Sequence, residues 1–275
     1  MPAPAATLGN LDDMRRHELN TDFAWKPTEG PYRVLTPDQA RQYDEAGYFL
    51  FPDAFTADEM HAVREAIDPF EEANEAALRE LPGGRRFINK ADAITFTVHL
   101  VARSAVLKAF SRHRVFRDLC HDIMGPGARL YWDQAVYKKP GNPEEFPWHQ
   151  DNGYTFMSPQ QYLTCWVPLT DATLDNGCPW VAPGLHLNGT LAHEPTRLGL
   201  QCVSDPPGTV AVPAKAGDIV VFSSLTPHRT GPNLTTETRR SYILQYAPDG
   251  VIAVDPFSGE TRPANDPERQ YYVDG

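Results

Sequence analysis

Apolar positions change their period near residue 128: before it they recur three and four apart, after it they fall in short runs broken by Gly, Pro, Asn and Asp. Thr36 followed by Pro37 predicts a helix start, and the helix continues through Gln39 and Tyr43 to Gly47. Gly47-Tyr48-Phe49-Leu50-Phe51-Pro52 then reads as a buried strand. Thr56-Ala57-Asp58-Glu59 has the spacing of a capping box. It opens a longer helix with Met60, Val63 and Ile67 on one face, which Pro69 is expected to end or kink. The acidic run Glu71, Glu72 and Glu75 reads as a solvated face, and Pro82-Gly83-Gly84 as a break. Two short helices follow, one from Ser104 through Val106, Leu107 and Phe110, the other over 115–124 and stopped by Gly125-Pro126-Gly127.

Residues 128–137 are aromatic and β-branched and predict a strand closed by Lys139-Pro140-Gly141. Further strands are expected over 162–168, 208–212, 218–222 and 241–246, with turn signals at Asp175-Asn176-Gly177, Pro183-Gly184 and Ala216-Gly217-Asp218. Many short strands separated by turns point to a sandwich or barrel. Residues 1–34 are Pro-rich without sustained periodicity and read as an N-terminal arm. The remainder, 35–275, is expected to form a single domain, with helices mostly in 36–125 and the β core over about 128–247.

Composition narrows the function classes. Across 275 residues, 41% hydrophobic and 11% aromatic content support a substantial core, and the formal net charge of -11 argues against a nucleic-acid or anionic-membrane surface. The four cysteines, Cys120, Cys165, Cys178 and Cys202, show no Cys-x-x-Cys spacing, which fits free thiols in a reducing compartment. The first residues lack the basic and apolar regions of a signal peptide, the last match no retention address, and no apolar run reaches spanning length. A soluble, cytoplasmic protein acting on a small molecule is expected, its oligomeric state open. There is no Gly-rich phosphate loop, no Gly-x-Ser-x-Gly elbow and no internal repeat.

The candidate chemistry centres on Phe146-Pro147-Trp148-His149-Gln150-Asp151. In an extended segment, residues two apart face the same way, so His149 and Asp151 can offer a nitrogen and an oxygen to one ion. Three histidines compete for the third position. His186 follows a Pro-Gly turn and reads as a loop-stabilising hydrogen bonder; His193 sits in a polar connection; His228 lies between two strands, where a ligand belongs. Two His and one carboxylate on one face form the facial triad of non-haem Fe(II) oxygenases, and such a triad in the β half favours a double-sheet jelly roll of the cupin type. Arg239 opens the apolar strand Tyr242, Ile243, Leu244, and a guanidinium inside a β core needs an anion to clamp. Thr230 can add a hydroxyl to the same anion; Arg240 competes with Arg239 for the role.

These residues, together with Asp175-Asn176-Gly177-Cys178, Pro183-Gly184-Leu185-His186 and His228-Arg229-Thr230-Gly231-Pro232-Asn233, resemble the phytanoyl-CoA dioxygenase family over roughly 36–247. The family has Ser where Leu185 stands. The resemblance implies a mainly β fold with flanking helices, a double-stranded β-helix. It also implies an Fe(II)- and 2-oxoglutarate-dependent dioxygenase that consumes O2 and releases succinate and CO2. Mapped onto this chain, it makes His149, Asp151 and His228 the catalytic iron ligands and gives Arg239 and Thr230 the distal carboxylate of 2-oxoglutarate. Trp166 and Gln134 would line the co-substrate pocket. A family variant with a small residue in place of the carboxylate binds chloride; Asp151 favours hydroxylation over halogenation. The expected reaction is hydroxylation of an unactivated C–H bond in a natural-product or amino-acid-like molecule, with Asn89, Lys90, Trp132, Tyr137, Tyr154 and Arg229 as candidate substrate contacts. The acidic surface offers no dock for a carrier such as CoA. A non-oxidative metal-dependent cupin enzyme, or a non-catalytic small-molecule-binding β-sandwich, is the alternative.

Overall fold

The computed structural model describes residues 14–255 and 258–273. Thr36 and Thr56 start the first two helices alike: each hydroxyl accepts from the backbone N–H three residues on, while Gln39 or Glu59 reaches back to the threonine N–H. Helix α1 (Pro37–Ala46) stops at Gly47, whose φ of 81° is left-handed, and strand β1 (Tyr48–Phe51) follows. A Cβ on Gly47 would lie 2.4 Å from Thr226 Oγ1 and 2.6 Å from His186 Nδ1. Gly47→Ala is therefore expected to cost about 1–3 kcal/mol of stability, read as a lower urea midpoint at unchanged slope.

Helix α2 (Ala57–Arg79) continues past Pro69 instead of ending there. Pro69 and Glu65, whose carbonyl loses its helical donor, both face solvent, so water can take the orphaned acceptor. Nor is the acidic run a solvated face. Glu72 is exposed, but Glu71 and Glu75 are buried on the same stripe as Ile67 and Leu78. Glu71 accepts from Thr95 Oγ1 (2.8 Å) and Lys139 Nζ (2.6 Å), and Glu75 from the Asp92 N–H (2.7 Å), so α2 is fastened to the sheet by charge as well as by apolar contact.

Between α2 and the next helices lie three strands that the hydrophobic pattern left unassigned: β2 (Arg85–Arg86), β3 (Asn89–Lys90) and β4 (Ile94–Val98). Helices α3 (Ala105–Phe110) and α4 (Arg114–Met124) precede the long strand β5 (Ala128–Lys138). Then come β6 (Phe146–His149), β7 (Phe156–Ser158), β8 (Leu163–Pro168) and β9 (Pro179–Val181). A small hairpin, β10 (Glu194–Thr196) with β11 (Gly199–Gln201), leads to β12 (Val210–Ala211) and β13 (Ile219–Ser223). The chain closes with β14 (His228–Thr230), β15 (Arg239–Pro248), β16 (Ile252–Val254) and β17 (Thr261–Pro263).

The major sheet runs β1-β13-β8-β15-β5-β4-β3-β2 and the minor sheet β12-β9-β14-β6, every pairing antiparallel. Period-two alternation assigns the two faces of the major sheet. Tyr242, Leu244 and Tyr246 of β15, with Cys165 and Val167 of β8 and Ile219 and Val221 of β13, join the core beneath the helices. Arg239, Ile243 and Gln245 of β15, with Thr164 and Trp166 of β8 and Phe222 of β13, turn the other way and line a cavity that β4 and β5 of the same sheet extend and the minor sheet faces through Phe146, His149, Pro179, His228 and Thr230. This is the expected double-stranded β-helix, a mainly β fold with helices on the outer face of one sheet. The register slips once in β15–β5: Gln245 pairs with Trp132 and Tyr246 with Leu130, leaving Tyr131 unpaired in a bulge that aims it into the cavity.

From Met14 to Val34 the chain lies along the roll, where the His17 N–H reaches Thr190 O and the Asn20 amide donates to Asn188 O and Thr190 O. Among the described residues, no helix is long and apolar enough to cross a membrane.

Candidate active site

His149 ends β6 and His228 begins β14, and the two are direct cross-strand partners with imidazole centroids 4.1 Å apart. Asp151 lies beyond the strand, at the head of a 3₁₀ turn over Asp151–Gly153. Gln150 between them is extended (φ −105°, ψ 144°), so the two-residue offset still puts Asp151 on the side of His149. Asp151 Oδ1 stands 4.0 Å from His149 Nε2 and 3.8 Å from His228 Nε2. Among the described residues this is the one group of His, Cys, Asp and Glu side chains whose ligand atoms converge closely enough to hold an ion.

The hydrogen bonds around the group decide which atoms are free. His149 Nδ1 donates to Pro147 O (2.8 Å) and His228 Nδ1 to Thr226 O (3.0 Å), so each Nε2 presents a lone pair. Burial pushes the imidazole pKa values down, to about 3 for His149 and about 4 for His228, and keeps both rings neutral. Asp151 Oδ2 accepts from Thr164 Oγ1 at 2.5 Å, and the Gln245 side chain also bonds this carboxylate. What remains is two nitrogen lone pairs and one carboxylate oxygen, buried, facing one another and too far apart for good hydrogen bonds. Such a set is repulsive when empty and fits a cation.

Neither competing histidine joins it. His186 Nε2 reaches Asp44 O (3.2 Å), the loop-fastening role expected of it. His193 does more than the sequence indicated. Its Nδ1 donates to Leu191 O (2.8 Å) and its Nε2 accepts from the Gln150 N–H (2.9 Å), gripping the backbone between the two candidate ligands. The Gln150 side chain is fully buried, donating to Gly189 O and Leu225 O and accepting from the Leu191 N–H. A Cβ on Gly153 would meet the His193 ring at 2.0 Å, so this close approach requires glycine.

The triad opens into a cavity of about 400 Å³, and Gln134, Trp166, Thr230 and Arg239 all line it. Arg239 is 1% exposed, and among the described residues no carboxylate meets it. One terminal nitrogen donates to Ser241 Oγ (2.6 Å) and Val136 O (3.5 Å); Nε and the other terminal nitrogen have no partner. The guanidinium carbon sits 5.3 Å from the Trp166 ring centroid. Burial lowers its pKa to about 10, which still leaves it charged at neutral pH. Arg240 points to the opposite face, 3.8 Å from Asp68 and over the Tyr137 ring.

Of the other residues considered for substrate contact, Asn89, Trp132 and Tyr154 line the cavity, whereas Lys90, Tyr137 and Arg229 do not. Lys90 pairs with Glu144, Tyr137 donates to Asp68, and Arg229 lies between Trp148 and Trp180 with Glu145 at its tip. Tyr131, Tyr162, Thr164 and Gln245 line the cavity unforeseen. Thr164 and Gln245 could have been found by alternation from Trp166 and Arg239; nothing local marks Tyr131, since the bulge is a property of the paired strands.

A jelly roll holding two neutral imidazoles and a carboxylate over a buried, unpaired arginine defines a non-haem oxygenase that takes an anionic co-substrate. The profile of the phytanoyl-CoA dioxygenase family matches residues 43–241, and the chain belongs to that family. It is an iron- and 2-oxoglutarate-dependent oxygenase that uses O2. Among similar proteins is the methylphosphonate hydroxylase of Gimesia maris, 27% identical over 220 residues, covering 78% of this chain and 81% of that one. Similar solved structures include apo EctD from S. alaskensis (24% identity, TM-score 0.69, covering 91% of this chain and 89% of that one). Another is the carbocyclase SnoK from nogalamycin biosynthesis (21% identity, TM-score 0.64, covering 82% and 89%).

Proposed function

We propose that the chain hydroxylates an unactivated C–H bond of a small molecule that carries no strong anionic group. The observation that carries this reading is the orphaned guanidinium of Arg239, lining the same cavity as three convergent lone-pair donors. His149, Asp151 and His228 would hold the iron, and Arg239 with Thr230 the distal carboxylate of 2-oxoglutarate, flanked by Trp166 and Gln134. Bound there, iron and 2-oxoglutarate supply the oxidation of a C–H bond by O2, with release of succinate and CO2. Asp151 occupies the position that a chloride-binding variant would leave empty, which favours hydroxylation over halogenation.

The chain's own part is orientation and exclusion of water. The Nδ1 bonds of His149 and His228 fix their tautomers, and Thr164 holds Oδ2 of the Asp151 carboxylate while Oδ1 faces the imidazoles. Phe96, Val136, Phe146, Phe222 and Ile243 keep the surrounding wall apolar. The exposed Phe87, at the tip of the β2–β3 hairpin, stands where a substrate would enter.

The charge inventory of the wall constrains the substrate. Among the described residues of the wall, apart from the two histidines, only Asp151 and Arg239 carry charge, and both are assigned. Among those described residues no further cation remains for a phosphonate, a CoA thioester or the carboxylate of an amino acid, so a natural-product-like molecule with neutral polar groups fits better. Iron(II), ascorbate and 2-oxoglutarate added to the protein should yield succinate, and the anaerobic complex should show a weak visible charge-transfer band. A metabolite mixture should then give a product heavier by one oxygen. Methylphosphonate should be left unoxidised under the same conditions; its oxidation at a rate matching the best hit would reject the uncharged-substrate reading. Absence of both succinate and the visible band would reject the oxygenase reading.

A further inference from the structure

Behind the co-substrate wall lies a second buried basic side chain. Lys138, the last residue of β5, is fully buried and is the register partner of Arg239 on β15. Among the described residues no carboxylate pairs with its Nζ. It faces oxygen acceptors alone: Glu144 O (3.4 Å), Thr230 O (3.3 Å), Thr230 Oγ1 (3.2 Å) and Gly231 O. Burial and the neighbouring Arg239 pull its pKa well below that of an exposed lysine. A lysine kept here at that cost stands 3.2 Å from the hydroxyl of Thr230, a residue that lines the cavity together with Arg239.

The contact has a directional consequence. A hydroxyl has one hydrogen to give and two lone pairs to receive with. While Lys138 donates to Thr230 Oγ1, the threonine hydrogen must point elsewhere, and among the described residues no acceptor takes it. Thr230 lines the cavity, as does Arg239, two of whose nitrogens are buried without a partner. We propose that Lys138 is a positioning residue for the co-substrate: by donating to Thr230 Oγ1 it sets that hydroxyl as a donor to the carboxylate that Arg239 receives. This rests on the assignment of Arg239 and Thr230 proposed above. The lysine also polarises the threonine O–H, since a hydroxyl that accepts a hydrogen bond donates more strongly.

The test compares two 2-oxo acids bound anaerobically to the Fe(II) protein and followed by the visible charge-transfer band. 2-Oxoglutarate carries the distal carboxylate; 2-oxopentanoate has a methyl group in its place. Lys138→Met should weaken 2-oxoglutarate binding about 10-fold, the scale of one hydrogen bond to a charged group, and shift 2-oxopentanoate less than about twofold. In turnover, KM for 2-oxoglutarate should rise with kcat nearly unchanged. Thr230→Ser should retain wild-type discrimination between the two acids. In a Thr230→Val background, Lys138→Met should add less than about threefold, because the group it acts through is gone. If Lys138→Met does not fold, Thr230→Val, which leaves Lys138 and its backbone carbonyl contacts in place, should weaken 2-oxoglutarate selectively over 2-oxopentanoate, and Lys138→Gln should give a smaller weakening with the same selectivity. Equal weakening of both acids would make Lys138 a structural staple of the β5–β14 junction and overturn the proposal, as would unchanged discrimination. Failure of the underlying assignment looks different: wild type would then bind the two acids equally, and Arg239→Met would change neither.

Discussion

Asp151→Ala is expected to abolish 2-oxoglutarate-dependent turnover while leaving the metal-free protein at least as stable as before. The two halves of this result have one cause. Asp151 is the only anionic member of the triad, and its carboxylate is held away from bulk water against two neutral imidazoles. Desolvation raises its pKa, so in the metal-free protein the buried charge is a cost that Thr164 and Gln245 offset only in part. Alanine removes that cost, and the donors it strands both line the cavity, where water can reach them. With metal present the balance reverses. Loss of a charged ligand should weaken metal affinity beyond the roughly 10- to 100-fold typical of losing an outer-shell partner. A metal at 100 times its Kd stabilises the wild type by about 2.7 kcal/mol, roughly 5–10 °C in Tm. Melting curves with and without Mn(II) read both effects: the shift should vanish in Asp151→Ala, and the metal-free Tm should hold or rise. A retained shift together with retained succinate formation would remove Asp151 from the metal site.

How far the sequence led to this site follows from which signals are local. The capping boxes at Thr36 and Thr56 and the strand runs over 128–137 and 241–246 are written within a few residues, and each formed close to where the pattern placed it. The His149-Gln150-Asp151 spacing is equally local. Its partner, His228, was reached only through strand context, and the structure makes the two histidines cross-strand neighbours. Glu71 and Glu75 misled because burial of an acid depends on a distant partner: Lys139 and Thr95 are invisible from within α2. Pro69 misled because a lost hydrogen bond costs little on a solvated helix face. His193 is the instructive omission. Its role is to hold a backbone N–H many residues away, and a side chain that serves another segment's main chain leaves no pattern of its own.

Arg239 and Arg240 could not be ranked by sequence alone, and the alternation of β15 separates them. Arg239 shares the cavity face with Ile243 and Gln245; Arg240 faces α2, near Asp68. Arg239→Met should therefore weaken 2-oxoglutarate binding by about 3 kcal/mol or more, roughly 100-fold, the usual result of removing one partner from a buried charge pair. Arg240→Met, which loses a contact of 3.8 Å at a partly exposed position, should leave binding within about twofold of wild type. The ligand-free proteins should diverge in the opposite sense. Wild type buries a guanidinium with two nitrogens unsatisfied and no anion against it, and methionine fills similar space against the Trp166 ring without that cost. Arg239→Met should accordingly melt at or above the wild-type temperature without co-substrate and lose the upward shift that 2-oxoglutarate gives the Fe(II) form. If Arg240→Met abolishes that shift and Arg239→Met preserves it, the clamp belongs to the other arginine, and the cavity must take its anion from a different wall.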